Sequence, residues 1–336
     1  MQPNRNVGID VVKASAVLFV PSVHFFLHTY FYNTPLNGIN MFVQLFCRMM
    51  FLICVPLFLI LTGYLQANKR PEGKYFKKIW SIIIIYLIYS VIAILVREFY
   101  FQDHKDIGEW IRLILLFKAN GYSWYINMFI GLFLLSPYLN ILYKGIPTKR
   151  GKLLLIGILL FLTSVPELLN GKAQGFLNFP DFWKLLYPLT YYFIGSFIKE
   201  FQVTMKTGLN IFLVLLFGLA SAITEYLYAN EGKFLQKVGY YPSLLVVMLS
   251  VSFFIMFYRC NIKNRIIVKT ISLLSILSLD IYLASYITDL FVYEYVSEHF
   301  PHSQTKIIYY SPLVVGATVT GAFILAYLRH KIIKIR

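Results

Sequence analysis

Long apolar runs alternate with short polar, basic segments over the whole chain. Runs with the character of a bilayer crossing lie at about 9–30, 41–65, 79–96, 123–143, 153–169, 183–198, 209–228, 241–258, 271–292 and 307–327. A crossing takes about 20 residues, and several of these runs are shorter. The pattern predicts an all-α, polytopic transmembrane helix bundle with about ten spans. It is expected to be a single membrane domain over 1–336, with no appended soluble domain. One segment between runs is different. Apolar side chains recur at Ile107, Trp110, Ile111, Ile114 and Leu115, while Arg112 and Lys118 point elsewhere. That spacing predicts a short amphipathic helix on the outer surface, or a re-entrant piece. The longest loops are expected near 97–122 and 170–182.

Composition agrees with the pattern. The chain is 58% apolar and 14% charged, against about a quarter charged in a soluble domain. A net charge of +16 would suit nucleic acid, but the basic residues sit in short loops between apolar runs, so membrane lipids are the expected partner and nucleic acid is not. With the N-terminus inside, inner segments hold 20 Lys and Arg and outer segments hold 9. This asymmetry places both termini in the cytoplasm of a plasma-membrane protein. The N-terminal run follows Arg5, as in a signal peptide. No small-residue cleavage site follows, so it reads as a retained helix. The short basic tail after 327 suits an anionic inner leaflet. Cys47, Cys54 and Cys260 have no metal-like spacing, and neither have His104, His299, His302 and His330, so no metal is expected.

The first run carries the candidate chemistry. At 100° per residue from Lys13, His24 falls at about 20° and both Asp10 and His28 at about 60°. Four ionisable groups on one stripe must face the protein interior or a water-filled cavity. Lys13 and His24 are roughly 16 Å apart along the axis, so a cation and a potential general base lie toward opposite membrane faces. Arg48, in the second run, comes at a depth like that of His24 and reads either as a snorkelling residue or as a fixed charge for an oxyanion. In the ninth run Asp280 and Asp289 face opposite sides. Asp289 matches His24 in depth and is a candidate for substrate binding, while Asp280 lies deeper, where a buried cation or another helix could pair with it. Lys77 and Lys78 form a topology signal or a phosphate site for an anionic cytoplasmic donor. Trp124 reads as an aromatic-belt residue or as a platform for a sugar face.

The stretch Gly8-Ile9-Asp10-Val11-Val12-Lys13, followed after ten residues by His24, resembles the opening of the acyltransferase family 3 membrane proteins, which usually reads Asp-x-x-Arg, ten residues, His. Val55-Pro56-Leu57-Phe58 with Thr62-Gly63-Tyr64 is similar to that family's second helix, and Ser123-Trp124-Tyr125 with Leu135-Ser136-Pro137 to its fourth. Tyr187-Pro188 to Gly195, and Ser278 to Leu283, follow the later helices. There are departures. Lys13 stands for the commoner arginine, only Lys78 remains of an arginine pair in the third helix, and Ala284-Ser285 stand where many relatives have a histidine.

The resemblance implies an integral membrane O-acyltransferase, an enzyme transferring groups other than amino-acyl groups. It would move an acyl group, with acetyl the first expectation and succinyl another, from acyl-CoA to a hydroxyl of a cell-surface polysaccharide or related envelope glycan. The acceptor would be a glycan or a lipid-linked saccharide, and no cofactor would be permanently bound. His24 falls on the essential histidine and Lys13 on its basic partner. The catalytic set expected is His24, Arg48, Asp10 and Lys13, with Lys13, Lys77 and Lys78 on the donor and Trp124 and Asp289 on the acceptor. The alternatives are a transporter or flippase of a surface-glycan intermediate, and, behind it, a membrane sensor or assembly partner.

Overall fold

A computed structural model describes residues 6–169, 180–229, 232, 234 and 239–333. Residues 170–179 of the second long loop lie outside the described residues, as do Arg5, Lys172, Lys233, Lys237, Lys334 and Arg336 from the charge count. All regular structure among the described residues is helical. In chain order the main helices are α1 (Val7–His28), α2 (Gly38–Leu52), α3 (Cys54–Gln66), α4 (Lys78–Phe99), α5 (Ile107–Leu115), α6 (Trp124–Gly145), α7 (Lys149–Leu169), α8 (Tyr187–Phe201), α9 (Thr207–Tyr228), α10 (Leu244–Phe257), α11 (Arg265–Ile276), α12 (Ser278–His299) and α13 (Ser311–Ile332).

Every predicted apolar run falls on a helix, and residues 107–115 form the expected amphipathic piece. Among the described residues, six helices have the length and apolarity of a crossing, and the α11–α12 pair would make a seventh. The sequence expectation was about ten. α8 and α10, at 15 and 14 residues, are too short to meet the same test. α8 buries every residue from Thr190 to Ile198, so protein covers it on all sides. A helix enclosed in this way does not have to match the hydrocarbon thickness that a lipid-facing helix must span.

Two of the runs are broken. The second divides at Ile53, into α2 and α3. Pro56 has no N–H for the Leu52 carbonyl, and the ladder restarts with Leu57 donating to Ile53 at 2.9 Å. The ninth bends by 73° at Leu277. Both arms of that bend are anchored: α11 to Asp10 through Ser272 and Ser275, and α12 to Arg329 through Asp280.

α1, α3 and α8 form the centre. α3 and α8 cross at Gly63 and Gly195, where each glycine lies on the other helix's backbone. A Cβ on Gly63 would strike the Tyr192 carbonyl, and one on Gly195 the Ile60 carbonyl. Small residues at a helix crossing allow this approach in the absence of a hydrophobic drive between helices in lipid. Gly63→Ala should therefore force the two backbones apart and cost about 1–3 kcal/mol or more, as overpacking does. The yield of monodisperse protein on gel filtration checks this, and a Gly63→Ala variant with wild-type yield and melting temperature would contradict it.

Candidate active site

The C-terminal half of α1 brings His24 and His28 against α12 and the turn before α6. Asp289, on α12, is 2% exposed. It accepts a hydrogen bond from the Tyr122 hydroxyl at 2.5 Å through Oδ2, and one from the Thr318 hydroxyl at 2.9 Å through Oδ1. The Tyr122 hydrogen is thereby committed to Asp289, so its oxygen accepts from His28 Nε2 at 2.7 Å. Burial, and then the neighbouring Asp289 carboxylate, raise the Tyr122 phenol well above its ordinary pKa, which keeps it a donor.

His24 stacks on this pair. Its ring centroid lies 3.8 Å from that of Tyr122, and its Nδ1 is 3.8 Å from Asp289 Oδ2. Nδ1 is buried without a hydrogen-bond partner. A carboxylate facing Nδ1 favours the proton on that nitrogen and leaves Nε2 with a lone pair. The 3.8 Å gap is loose for a hydrogen bond, and such contacts tighten when substrate binds.

Lower on the same face, Lys13 lines a mostly apolar cavity of about 250 Å³, together with Phe58, Thr62, Ile82, Tyr125 and Tyr282. Tyr125 and Tyr282 have ring centroids 5.4 Å apart, and the Tyr282 hydroxyl donates to the Tyr122 carbonyl at 2.7 Å. One layer of tyrosine thus stands between this cavity and His24. Asp10 is 5% exposed and accepts from the Ser275 hydroxyl at 2.6 Å and from Ser272 at 3.1 Å. Its direct effect is to fix α11 against α1.

A second cavity, of about 360 Å³, is lined by Asn68, Lys69, Arg70, Glu72, Lys74, Tyr75 and Lys78. The turn from Gln66 to Lys69 borders both cavities, and Asn140 holds it by donating to the Gln66 and Lys69 carbonyls at 2.7 and 2.9 Å. Of the two lysines expected at a donor site, Lys78 lines this cavity and Lys77 does not.

The predicted residues thus divide into groups. His24 and Asp289 meet, Lys13 opens a cavity beneath them, and Asp10 secures a neighbouring helix. Arg48 was expected beside His24. It is instead 1% exposed against Tyr32 and Phe234, and no hydrogen bond or ring contact joins it to His24. Similar depth on sequential helices fixes height but not azimuth, and α2 turns Arg48 to a different neighbour. Trp124, 41% exposed, stacks on Tyr241 with centroids 5.9 Å apart. Sequence reasoning missed Tyr122, Thr318, Lys69 and Arg70. Tyr122 directly precedes the Ser123-Trp124-Tyr125 pattern, and this was the one signal for it; Thr318 lies in an apolar run without any.

Tyr122→Phe deprives Asp289 of a short hydrogen bond while keeping the ring under His24. A buried acceptor left unsatisfied costs about 1–3 kcal/mol. The expected result is a melting temperature lowered accordingly and an activity reduced by roughly tenfold or more. Unchanged turnover in detergent-purified Tyr122→Phe would remove Tyr122 from the site.

Among known proteins, a family model described as an acyltransferase domain matches residues 6–327. No curated protein matches the chain, and no solved structure does.

Proposed function

The chain belongs to acyltransferase family 3, and from that premise we propose that it is an integral membrane O-acyltransferase that carries an acyl group, acetyl in the first instance, from acyl-CoA to a hydroxyl of a cell-surface polysaccharide or related envelope glycan. The observation that carries this reading is His24 stacked on Tyr122 and facing the buried Asp289, on the helix face that also sends Lys13 into a cavity.

The bundle crosses the plasma membrane with both termini cytoplasmic. It makes ten crossings when α7, α8, α10 and the bent pair are counted with the six long spans. The basic cavity then opens to the cytoplasm, where Lys69, Arg70, Lys74 and Lys78 receive the donor phosphates. The pantetheine arm extends along the Lys13 cavity toward Tyr125 and Tyr282, which brings the thioester beneath His24. The acceptor approaches from the other face. Nε2 of His24 takes the proton of the acceptor hydroxyl as its oxygen attacks the thioester carbonyl. When the C–S bond breaks, the thiolate of CoA leaves and recovers that proton from the imidazolium. Asp289 favours the imidazolium in between, as the acid partner of a histidine does in other acyl transfers. An ester forms, a thioester is consumed, and the charges balance.

The test is acyl transfer in proteoliposomes loaded with labelled acetyl-CoA and supplied with an envelope glycan fraction. Label appearing in ester linkage supports the reading. A carrier would move the glycan without consuming acyl-CoA, and that result would overturn it. The donor path makes a second prediction. Replacing Lys74 and Lys78 together by Gln should raise KM for acyl-CoA roughly tenfold, at about 0.5–1 kcal/mol for each exposed charge contact, with kcat little changed. Lys77→Gln should have less effect. Unchanged KM in the double variant would return this cluster to a topology signal.

A further inference from the structure

Among the described residues, buried Lys152 and Arg329 have carboxylate partners and Arg48 has none. Lys152 pairs with Glu200 at 2.6 Å. Arg329 pairs with Asp280. Arg48 is more deeply buried than any of these, at 1% exposed, and no carboxylate lies within ion-pair distance of it among the described residues. Its Nε–H donates to the Tyr32 hydroxyl at 3.0 Å, and Nη1 reaches only the Met49 sulfur at 3.6 Å. The Nη2 hydrogens have no acceptor among the described residues. The guanidinium Cζ lies over the Phe234 ring, 4.5 Å from its centroid. A cation–π contact of this kind offsets part of the lost hydration but leaves the outward-pointing N–H groups unused. A guanidinium does not shed its proton at any physiological pH, so it cannot escape the cost of burial by becoming neutral. A buried, always-charged fork without an anion is costly unless an anion arrives.

The surroundings suit a particular anion. Arg48 lies in the first half of the α2–α3 run, Gly38–Gln66, which begins at the α1–α2 connection, so it shares the His24 end of the bundle, opposite Lys13 and the basic cavity. Gly239, two residues before Tyr241, lies against the guanidinium: a Cβ built on it would stand 2.8 Å from Arg48 Nη1. Tyr241 in turn stacks on Trp124, and its ring centroid is 5.8 Å from that of Tyr187. Trp124 is 41% exposed, so the Trp124–Tyr241 stack leads from the exterior to the segment whose Gly239 lies against Arg48. Aromatic faces pack against the C–H faces of sugars, and an arginine fork donates two parallel hydrogen bonds to a carboxylate or phosphate.

We propose that Arg48, with Tyr241 and Trp124, forms a subsite for an anionic saccharide acceptor, one that carries a carboxylate or a phosphate. The identification of the ligand as acceptor rests on the acyltransferase reading; the anion subsite itself does not. Arg48 accordingly selects the acceptor and does not stabilise the oxyanion at His24.

Binding and transfer are measured separately. Dissociation constants for methyl glucuronide, glucose 1-phosphate and methyl glucoside are determined with the full chain in nanodiscs. Wild-type protein should bind at least one anionic sugar about tenfold or more tightly than the neutral one, as a charge-assisted hydrogen bond provides. The preferred anion tells a uronic acid from a phosphorylated glycan. Arg48→Met should abolish the preference, and Arg48→Lys should retain part of it, which a packing role alone would not do. Equal constants in the wild type, no binding of either anionic sugar, or a preference that survives in Arg48→Met would overturn the proposal. The wild-type comparison stands even if Arg48→Met does not fold. Transfer from labelled acetyl-CoA to the same sugars is then scored. Anion preference without any transfer would sink the acyltransferase reading and leave the subsite standing.

Discussion

Replacing His24 with alanine will abolish acyl transfer while expression, membrane insertion and melting temperature remain close to wild type. The ring is half-buried, and its nitrogen Nδ1 makes no hydrogen bond in the resting protein, so the fold gains little from it. A general base contributes ~10²–10⁴-fold in rate, and the loss should be of that size. Asp289→Asn should follow in the same direction, because it removes the charge that favours the imidazolium. His28→Ala should cost much less. His28 is exposed at the end of α1 and meets the site from its rim, through the Tyr122 oxygen and an edge-on ring contact with His24. Proteoliposome assays of the three variants against labelled acetyl-CoA check this order. A folded His24→Ala protein that transfers acyl groups at near wild-type rate would refute the mechanism.

The largest loss of stability is expected from Arg329→Met. Arg329 and Asp280 are 7% and 4% exposed, and the guanidinium engages both carboxylate oxygens, with Nε to Oδ1 at 2.6 Å. Nη1 also donates to the Ile333 carbonyl at 3.2 Å, at the end of α13. The pair ties the last turn of α13 to the first turn of α12, just beyond the 73° bend. Removing one member leaves the other charge buried and unpaired, at a cost of about 3–5 kcal/mol. Replacing both, as Asp280→Leu with Arg329→Met, should cost less than either single change, because no lone charge remains. Unfolding in mild detergent, read as a double-mutant cycle, gives the coupling directly. A single variant as stable as wild type would show that the pair adds nothing.

The same pair marks the limit of counting charges. Arg329 and Lys152 entered the inside tally as loop cations, yet both are buried ion-pair partners. Their contribution to orientation is therefore mixed with one to packing. The sign of the asymmetry does not depend on those two residues, because the remaining inner segments still hold most of the positive charge.

The chain's own pattern determined that it is helical, where the apolar helices lie, and that one face of α1 is reserved for ionisable groups. Those features are local: a run of apolar side chains needs internally satisfied backbone, and a 3.6-residue period carries Asp10, Lys13, His24 and His28 onto one stripe. The first-helix spacing also pointed to the family that the full-length match bears out. Asp289 was legible as a partner for His24 because depth along a helix follows from residue count. Azimuth between helices does not. Arg48 shares His24's depth and meets Tyr32 and Phe234, whereas Tyr122, with no periodicity to flag it, slides between His24, His28 and Asp289. The bend at Leu277 and the choice of Lys78 over Lys77 at the basic cavity were likewise decided by tertiary packing, whereas the break at Ile53 follows locally from Pro56. Which side chains share a site depends on how helices rotate against one another, and that rotation is set by contacts such as Gly63 on Tyr192 and Asp10 on Ser275, between residues far apart in the chain.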